Sequence, residues 1–297
     1  MMSLNGFSDI PKKMKSDFIH ISDELFLKLG NLITERYGIK MPPEKKIMFQ
    51  SRMQRRLLEL EINSFDEYAK MLLNADLDSP ELSVLADYIS TNKTDFFREN
   101  DHFEFISDHI IPEFLNIKFN FKEPKLKIWS AGCSNGQEAY SIAITLEEYI
   151  RLKKMPINYS ILATDISVRM LKNATEAIYP ISSMDVISLD LKHRYFLKSK
   201  NQKDEKVRVI KDLRDKVSPA YLNLMDDNYL LKDEFDVVFL RNTLIYFNHQ
   251  VQQNVLTKVL NTIKIGGYLI IGHSESLINM SLPIRSIAPS IYVKINI

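Results

Sequence analysis

Four short stretches of the chain carry residues that suit ligand binding, and in three of them polar residues directly follow an apolar run. In IWSAGCSNGQEAYSIAI, residues 128–144, an apolar run leads through two glycines to a helical pattern near Glu138. Gly132 and Gly136 allow a ligand to approach the backbone closely, but their spacing departs from the dinucleotide fingerprint GxGxxG. Glu138 early in the helix disfavours a phosphate, so a ligand with hydroxyl or ammonium groups suits the turn better. A plain tight turn is the alternative.

Two further apolar runs end in residues that can form hydrogen bonds to a ligand. Asp165 follows ILAT, where an acid commonly accepts hydrogen bonds from ribose hydroxyls; capping the next helix is its alternative role. Arg241 and Asn242 follow FDVVFL, and Tyr246 lies four residues beyond Asn242. Polar groups that converge at one sheet edge indicate a binding site, although Tyr246 also fits a packed core aromatic.

The stretch TNKTDFFREN, residues 91–100, joins a helical segment to the strand-rich part of the chain. It offers three polar side chains, Asn92, Thr94 and Arg98, beside the apolar pair Phe96 and Phe97. A simple linker does not require this mixture, which favours a role in the site. The alternative is a capped helix with aromatic anchors and a solvated arginine.

The composition of the chain excludes several classes of protein. A chain of 297 residues that is 45% hydrophobic can bury a sizeable core, and its single cysteine, Cys133, excludes an internal disulfide framework and a cysteine-rich metal site. Cys133 is interpreted as a small loop residue, not a nucleophile. With 39 basic and 38 acidic side chains, the protein has no global attraction to nucleic acid. A polar N-terminus and the lack of a long apolar run predict a cytoplasmic protein without membrane insertion.

Helical periodicity dominates the first part of the chain. Ser22 is a candidate N-cap for a first helix that ends at Gly38, and a second helix follows Pro43. Further helices are predicted over residues 64–73 and 79–90. These elements define a predicted N-terminal helical domain at 20–90.

Strands alternate with helices after Asn92. Strands are predicted at 126–131, 157–164, 234–240, 267–272 and 290–296, and helices after Gly136, at 167–177 and at 250–263. This alternation predicts an α/β domain at 91–297 with a doubly wound, mostly parallel sheet and an antiparallel final strand. A stretch at about 191–222 has alternating apolar residues at Val207 and Val209 but no helix of crossover length, which favours a small antiparallel β insertion.

The chain resembles the CheR-type chemotaxis receptor methyltransferases. These enzymes transfer a methyl group from S-adenosyl-L-methionine to glutamate side chains of receptor signalling helices and release S-adenosyl-L-homocysteine. The resemblance runs in family order from about Ser22 to the C-terminus. It rests on the stretches TNKTDFFRENDHF, IWSAGCSNGQEAYSIAI, ATDIS, YLNL, FLRNTLIYF and GGYLIIGHSES, together with EKKIMFQSRMQRRLLEL in the helical segment.

The resemblance implies roles for individual residues. Asn223 and Leu224 lie toward the adenine, Asp165 contacts the ribose, and Arg98 and Tyr246 are nearest the transferred methyl group, as the catalytic pair. With Gly132 of the glycine turn, the full set of expected cofactor contacts is Asn92, Thr94, Arg98, Gly132, Glu138, Asp165, Asn223, Leu224, Arg241 and Asn242. A glutamate carboxylate is ionised at neutral pH, so the reaction needs no metal, general base or covalent nucleophile.

A basic helix and a β insertion give predictions about how the substrate is recognised. Lys46, Arg52, Arg55 and Arg56 are predicted to attract the acidic signalling helices of receptors, which assigns receptor recognition to the helical domain, although a solvated helix face explains the same residues. The insertion lacks the glycines that pentapeptide-binding relatives tend to have, so tethering to a receptor's C-terminal pentapeptide is doubtful. Two rival functions are a non-enzymatic protein that kept the fold and a methyltransferase acting on a small-molecule carboxylate.

Overall fold

The computed structural model describes residues 18–76, 79–118, 125–201, 203–231 and 234–296. Within this described part, the chain forms two compact units. One comprises the residues up to Glu35 together with Lys40–Leu82, and the other comprises Arg36–Ile39 together with the residues from Ser83 onwards.

Helices form the N-terminal part of the chain where the periodicity predicts them. They are α1 Asp23–Tyr37, α2 Lys46–Glu59, α3 Phe65–Leu73 and α4 Pro80–Ile89, with a 3-10 turn at Pro43–Lys45 before α2. Ser22 caps α1, because its Oγ accepts a hydrogen bond from the amide of Leu25 at 3.2 Å. Gly38 follows α1 with a φ of +70°, as expected of a C-terminal glycine. The apolar stripe of α2 is buried at Phe49, Met53 and Leu57.

The larger unit contains ten strands among the described residues. In chain order they are β1 Lys125–Ala131, β2 Asn158–Asp165, β3 Ile178–Pro180, β4 Phe196–Lys198, β5 Lys206–Val209, β6 Val217–Tyr221, β7 Phe235–Leu240, β8 Ile263–Ile271, β9 Ile284–Ala288 and β10 Ile291–Lys294. Seven of them form one sheet in the order β6-β2-β1-β7-β8-β10-β9, and β3-β5-β4 form a second, antiparallel sheet. The first five strands of the large sheet are parallel, whereas β10 runs antiparallel to β8 and β9. The predicted fold class is therefore confirmed.

Helices flank the large sheet. They are α5 Asp101–Phe105, α6 Ile111–Lys118, α7 Gln137–Lys153, α8 Val168–Glu176, α9 Leu189–Tyr195, α10 Lys211–Arg214 and α11 His249–Asn261, and a π-helical turn at Ile106–Ile110 joins α5 to α6. Alternate residues of the central strands pack on opposite faces of the sheet. Ile128 and Val237 belong to one buried cluster, and Trp129 and Val238 to the other. Central strands buried on both faces explain their nearly continuous apolar sequences.

The interpretation of residues 191–222 as one antiparallel insertion is wrong in part. Strand β6 lies within that range but pairs in parallel with β2, with Val217 opposite Ile161, at the edge of the large sheet. Strand β3, which completes the small sheet, precedes the predicted range. Both strands are short and contain a proline, at Pro219 and Pro180. Proline donates no hydrogen bond and is confined to edges, so neither segment has the pattern of a buried strand.

The order of the large sheet creates a topological switch between β1 and β7. The chain passes from β1 to β2 on one side and returns through β7 on the other. Open α/β sheets bind ligands in the crevice outside the carboxyl ends of the two strands at such a switch. No helix in the described ranges is both long and apolar enough to cross a membrane.

Candidate active site

The glycine turn after β1 is built tightly against its neighbours. The amides of Gly132 and Cys133 both donate to the carbonyl oxygen of Thr164, at 2.8 and 2.9 Å. Gly132 has a φ of +77°, and a Cβ there would lie 2.5 Å from Oγ1 of Thr243. Gly136 has a φ of +89°, and its Cβ would lie 2.8 Å from that of Ala174. The glycines therefore bring the turn against β2, α8 and the loop after β7, which is a tighter arrangement than a solvent-exposed turn requires.

Asp165 organises this turn from the end of β2. Its Oδ2 accepts a hydrogen bond from the amide of Ser134 at 2.8 Å, and its Oδ1 accepts one from the amide of Ser167 at 2.9 Å. Ser167 itself caps α8 through its bond with the amide of Met170, so the alternative that Asp165 is the N-cap is wrong. Burial raises the pKa of the Asp165 carboxyl, although these amide hydrogen bonds oppose the rise. Each oxygen keeps a lone pair for a hydroxyl donor.

Arg241 connects the two strands of the topological switch. The guanidinium is buried, and its Nη1 lies 3.1 Å from Oε2 of Glu138, at the start of α7. Its Nη2 lies 3.0 Å from Oε2 of Glu99 and also donates to the carbonyl oxygen of Arg98. Ser130, near the end of β1, donates to Oε1 of Glu138 at 2.7 Å. One guanidinium is therefore shared by two carboxylates.

The two carboxylates differ in their protonation tendencies. Burial raises the pKa of Glu138, and the Arg241 charge and the Ser130 hydrogen bond only partly oppose this. Burial also acts to raise the pKa of Glu99, but Arg241 and hydrogen bonds from Asn242 and the His273 amide lower it overall. When both are ionised, the carboxylates of Glu99 and Glu138 outweigh the single positive charge of Arg241. The cluster then carries a net negative charge, which suits a ligand with cationic groups and no phosphate.

The loop after β7 presents Asn242 and Tyr246. Asn242 has a left-handed φ of +53°, and its Nδ2 donates to Oε1 of Glu99 at 3.3 Å. A short 3-10 turn at Leu244–Tyr246 follows, and the Tyr246 hydroxyl donates to the carbonyl oxygen of Thr91 at 3.3 Å. Tyr246 is half-buried rather than enclosed in a core, so the packed-core alternative does not describe it.

The linker contacts the small sheet and the glycine turn. Phe96 is buried against Tyr179 and Phe196 of the small sheet, with ring centroids 5.0 and 5.5 Å away. The carbonyl oxygen of Asn92 accepts a hydrogen bond from Oγ of Ser134 at 2.9 Å, so this end contacts the glycine turn. Thr94 is half-buried between these two anchors.

Arg98 lies next to the buried cluster, but its side chain remains accessible. It is 38% exposed; its Nη1 donates to the carbonyl oxygen of Lys93 at 3.3 Å, and its Nε lies 3.9 Å from Oε1 of Glu99. A guanidinium that is attached at one side and exposed at the other can receive an incoming carboxylate.

Asn223 and Leu224 follow β6 and are both buried. The amide of Leu222 donates to the carbonyl oxygen of Asp165 at 3.2 Å, which places this turn beside the end of β2. The Asn223 side chain donates to the carbonyl oxygen of Arg36 at 2.8 Å and accepts from the amide of Met225 at 3.0 Å. These bonds fix the orientation of Asn223 at the carboxyl edge of the sheet.

The four basic residues of α2 differ in their environments. Lys46 Nζ lies 2.5 Å from Asp23 Oδ1, and Arg55 Nε lies 2.9 Å from Glu59 Oε1. Arg56 is largely buried and ion-paired with Glu81, whereas Arg52 is half-buried. Arg56 is therefore mainly part of the packing of the first unit, and Arg55 is the most exposed member of the predicted basic face.

Two acids with prominent contacts were not predicted from the sequence. Glu99 bonds Arg241 and Asn242, and Glu275 accepts hydrogen bonds from four backbone amides around Asn242. The position of Glu99 directly after Arg98 was the available signal for the first. The polar segment GHSES after a buried strand was the signal for the second.

A cluster of potential metal ligands and the single cysteine also lie near the site. Glu99, His102 and His273 place potential metal-binding atoms within 4.8 Å of one another. Arg241 donates to the same Glu99 carboxylate, and a guanidinium beside a divalent cation is electrostatically unfavourable, so we assign no metal there. Burial and Arg241 together lower the pKa of His102 to about 4. Cys133 is buried, and burial raises the pKa of its thiol well above its usual value, which agrees with a packed loop residue.

The topological switch and the buried cluster of Arg241, Glu99 and Glu138 define an α/β protein whose candidate site suits a cationic ligand without phosphate. Two family models match the chain: the all-alpha domain of CheR methyltransferases at residues 24–90, and their SAM-binding domain at residues 92–292. The chemotaxis protein methyltransferase of Borreliella burgdorferi is 35% identical over 277 residues, which cover 93% of this chain and 96% of the relative. The chemotaxis protein methyltransferase of Salmonella typhimurium is 32% identical, covering 88% and 86%, and that of Escherichia coli is 33% identical, covering 86% and 85%.

The chain belongs to the CheR methyltransferase family. It is an S-adenosyl-L-methionine-dependent methyltransferase, and the resemblance, the activity and the cofactor predicted from the sequence are confirmed.

Proposed function

We propose that this enzyme methylates glutamate carboxylates in the cytoplasmic signalling helices of chemotaxis receptors, forming methyl esters that tune receptor signalling. The observation that carries the proposal is the accessible guanidinium of Arg98 beside the buried cluster formed by Arg241 with Glu99 and Glu138. The Tyr246 hydroxyl donates to the carbonyl oxygen of Thr91, in the linker that also carries Arg98. The buried acids suit a cationic cofactor, and the accessible arginine suits an anionic acceptor.

The cofactor is held by residues from the carboxyl edge of the sheet and from the linker. Glu138 meets its cationic or hydrogen-donating groups, Asp165 accepts from its ribose hydroxyls, and Asn223 and Leu224 flank its adenine. The remaining contacts come from Asn92, Thr94, Arg98, Gly132, Arg241 and Asn242. Both Asp165 and Asn223 are held by hydrogen bonds within the protein, so they are oriented before the cofactor arrives.

The chain's own residues contribute placement rather than proton transfer. S-adenosyl-L-methionine supplies an activated methyl group, which the ionised acceptor carboxylate takes without a general base, leaving S-adenosyl-L-homocysteine. Arg98 binds that carboxylate through charge-assisted hydrogen bonds, and Tyr246 orients it or the methyl group. Correct orientation of two reactants can lower a barrier by about 7–11 kcal/mol, so placement alone is a substantial contribution.

Substrate recognition is assigned to the helical domain at residues 20–90, and catalysis to residues 91–297. The basic residues Lys46, Arg52, Arg55 and Arg56 attract acidic receptor helices, with Arg55 in the most exposed position. Binding of a receptor's C-terminal pentapeptide is not part of the proposal, because the segment around β4 and β5 lacks the expected glycines.

The decisive experiment uses labelled S-adenosyl-L-methionine and membranes that contain candidate receptors. We expect label in the receptor band, released as methanol by mild alkali because a glutamyl methyl ester is base-labile. Membranes without receptors are the matched control. Label that enters a soluble carboxylic acid instead would favour the small-molecule alternative, and label stable to alkali would exclude an ester product.

A further inference from the structure

Glu275 forms an unusual set of contacts just after β8. Its Oε2 accepts hydrogen bonds from the amides of Gly272 at 2.7 Å and Asn242 at 2.9 Å. Its Oε1 accepts from the amides of Leu244 at 2.7 Å and Ile245 at 3.3 Å. The residue is only 9% exposed. A single carboxylate therefore joins the end of β8 to the loop that follows β7.

This carboxylate accepts a hydrogen bond from the amide of Asn242, whose left-handed backbone conformation is uncommon for residues other than glycine but is tolerated by asparagine better than by most. Asn242 has a φ of +53°, and a left-handed residue persists only where its surroundings determine it. Gly272 completes the restraint from the other side. A Cβ at Gly272 would lie 2.5 Å from Nδ2 of Asn242 and 3.0 Å from its amide nitrogen, so only glycine leaves room for this approach.

The restrained loop leads directly to two site residues. The Asn242 side chain donates to Glu99, and the amides of Leu244 and Ile245 open the short turn that presents Tyr246. Bonds to an ionised acceptor are stronger than neutral ones, so four amides on one carboxylate fix this turn firmly. Removing the negative charge should loosen the turn while leaving the surrounding apolar packing in place.

We propose that Glu275 is a positioning residue for methyl transfer: its carboxylate locks the loop at residues 242–245 so that Tyr246 and Asn242 face the reacting groups. Glu275 acts through these residues and does not itself contact substrate. The inference rests on the proposed function for its kinetic consequence, but its structural part concerns the loop alone.

Glu275→Gln tests the role of the charge with little change in shape. The amide nitrogen cannot accept hydrogen bonds, so two of the four backbone donors lose their acceptor. We expect kcat for receptor methylation to fall about 10- to 100-fold, the scale of a small misplacement of catalytic groups, with KM for receptor changing less than about threefold. We also expect faster amide hydrogen exchange in a peptide spanning residues 241–248.

Asp236→Asn is the matched control, because Asp236 lies at the opposite end of β7. Its carboxylate also accepts from a backbone amide, that of Lys127 at 2.8 Å, and pairs with Lys264. This variant should keep kcat and the exchange rate at residues 241–248 near the wild-type values. A general loss of stability would affect both variants, whereas loss of positioning affects only Glu275→Gln.

A double-mutant cycle with Tyr246→Phe separates positioning from a merely structural role. If Glu275 acts through Tyr246, Tyr246→Phe should lower kcat much less in the Glu275→Gln protein than in the wild type. Gly272→Ala, which keeps the carboxylate but crowds Asn242, should lower kcat in the same direction. If Glu275→Gln yields no folded protein, Glu275→Asp, which keeps the charge but draws the carboxylate back by one methylene, takes its place in the cycle and in the exchange measurement.

Strictly additive effects on kcat, or unchanged amide exchange at residues 241–248 in Glu275→Gln, would overturn the inference. A wild-type protein that labels no receptor would count against the proposed function instead. In that event the exchange comparison between Glu275→Gln and Asp236→Asn still decides whether Glu275 fixes the loop.

Discussion

The guanidinium of Arg241 is shared by Glu99 and Glu138, and the two acids respond differently to it. Glu138 is the more deeply affected by burial, so its pKa is raised, whereas the hydrogen bonds around Glu99 lower its pKa. A neutral Glu138 would remove much of the negative charge that suits a cationic cofactor. The strength of cofactor binding should therefore depend on the protonation of this residue.

We expect the affinity for S-adenosyl-L-methionine to fall as the pH is lowered, beginning above the range in which an ordinary glutamate titrates. The sign follows because the proposed contact with the cofactor uses the ionised carboxylate and the pKa of Glu138 is raised. Below that pKa the affinity should fall by up to about tenfold per pH unit. Calorimetric titrations between about pH 7 and pH 5 would measure this.

Glu138→Gln is the control for that pH dependence. The variant should bind the cofactor more weakly at neutral pH, and its affinity should fall less steeply as the pH is lowered. Part of the fall should remain, because burial also raises the pKa of Asp165, which still titrates. The same pH profile in the variant and the wild type would assign the loss of affinity at low pH to another group.

Arg98→Ala and Tyr246→Phe should affect turnover more than cofactor binding, because we propose that both residues act on the acceptor carboxylate. We expect kcat/KM for receptor methylation to fall about 100-fold or more for Arg98→Ala and about tenfold or more for Tyr246→Phe, on the scale of losing one stabilising donor. Calorimetry should show less than about a fivefold change in the dissociation constant of S-adenosyl-L-homocysteine.

Arg285, an exposed residue of β9, offers a matched control for the loss of one arginine charge. Arg285→Ala should retain wild-type kinetics. Equal losses of cofactor affinity and turnover in the Arg98 and Tyr246 variants would contradict this division of roles.

At the scale of elements, the capping of α8 links local stability to the site. Ser167 accepts from the amide of Met170 at 3.1 Å, donates to Asp87, and its own amide binds Asp165. Ser167→Ala should reduce the free energy of unfolding by about 1 kcal/mol, and weaken cofactor binding because the start of α8 positions Asp165. A fall in the melting midpoint of about 2–4 °C is expected for this loss in a domain of this size.

Ser188 caps α9 in the same way, accepting from the amide of Leu191 at 3.4 Å, but it lies outside the site. Ser188→Ala should lower the melting midpoint to a similar extent and leave the cofactor dissociation constant unchanged. If both serine variants weakened cofactor binding equally, the effect of Ser167 would be one of global stability.

The elements that the sequence predicts best are those with long, periodic patterns. Helices α1 to α4 and the buried strands β1, β2 and β7 agree with their predicted positions to within a few residues. The edge strands β3, β6 and β9 were not predicted, since an edge strand is short, tolerates proline and buries one face only. The assignment of β6 to the small insertion was wrong for this reason.

The residues of the candidate site also fall into those that the sequence could place and those that it could not. Asp165, Arg241 and Asn242 follow recognisable strands, so their convergence could be expected from the sequence, although their functional roles stay predictions. Glu99 and Glu275 could not be placed in the same way. Their partners are backbone amides and side chains from segments distant in the sequence, and no local pattern reports such contacts.

At the scale of the whole molecule, the nearly balanced net charge of +1 makes the local distribution of charge decisive. Most of the predicted basic face of α2 is already matched with acids of its own unit, at Asp23, Glu59 and Glu81. Of these residues, Arg56 is held most firmly within its own unit, because its partner Glu81 also accepts a hydrogen bond from Tyr68. Arg56→Ala should therefore mainly destabilise the first unit, and it is a poor test of receptor binding.

The double variant Arg52→Glu, Arg55→Glu tests the attraction of acidic receptor helices more directly. We expect KM for receptor to rise about 3- to 30-fold at low ionic strength while kcat and cofactor affinity stay near wild type, since rim charges mainly govern association. Raising the salt from about 0.05 M to 0.5 M should shrink this difference, because screening shortens the range of exposed charges. Lys28→Glu, at an exposed position of α1 in the same unit, is the control for charge reversal alone. An equal KM in the double variant and the wild type at low salt would show that these arginines form an ordinary solvated helix face and do not attract the receptor.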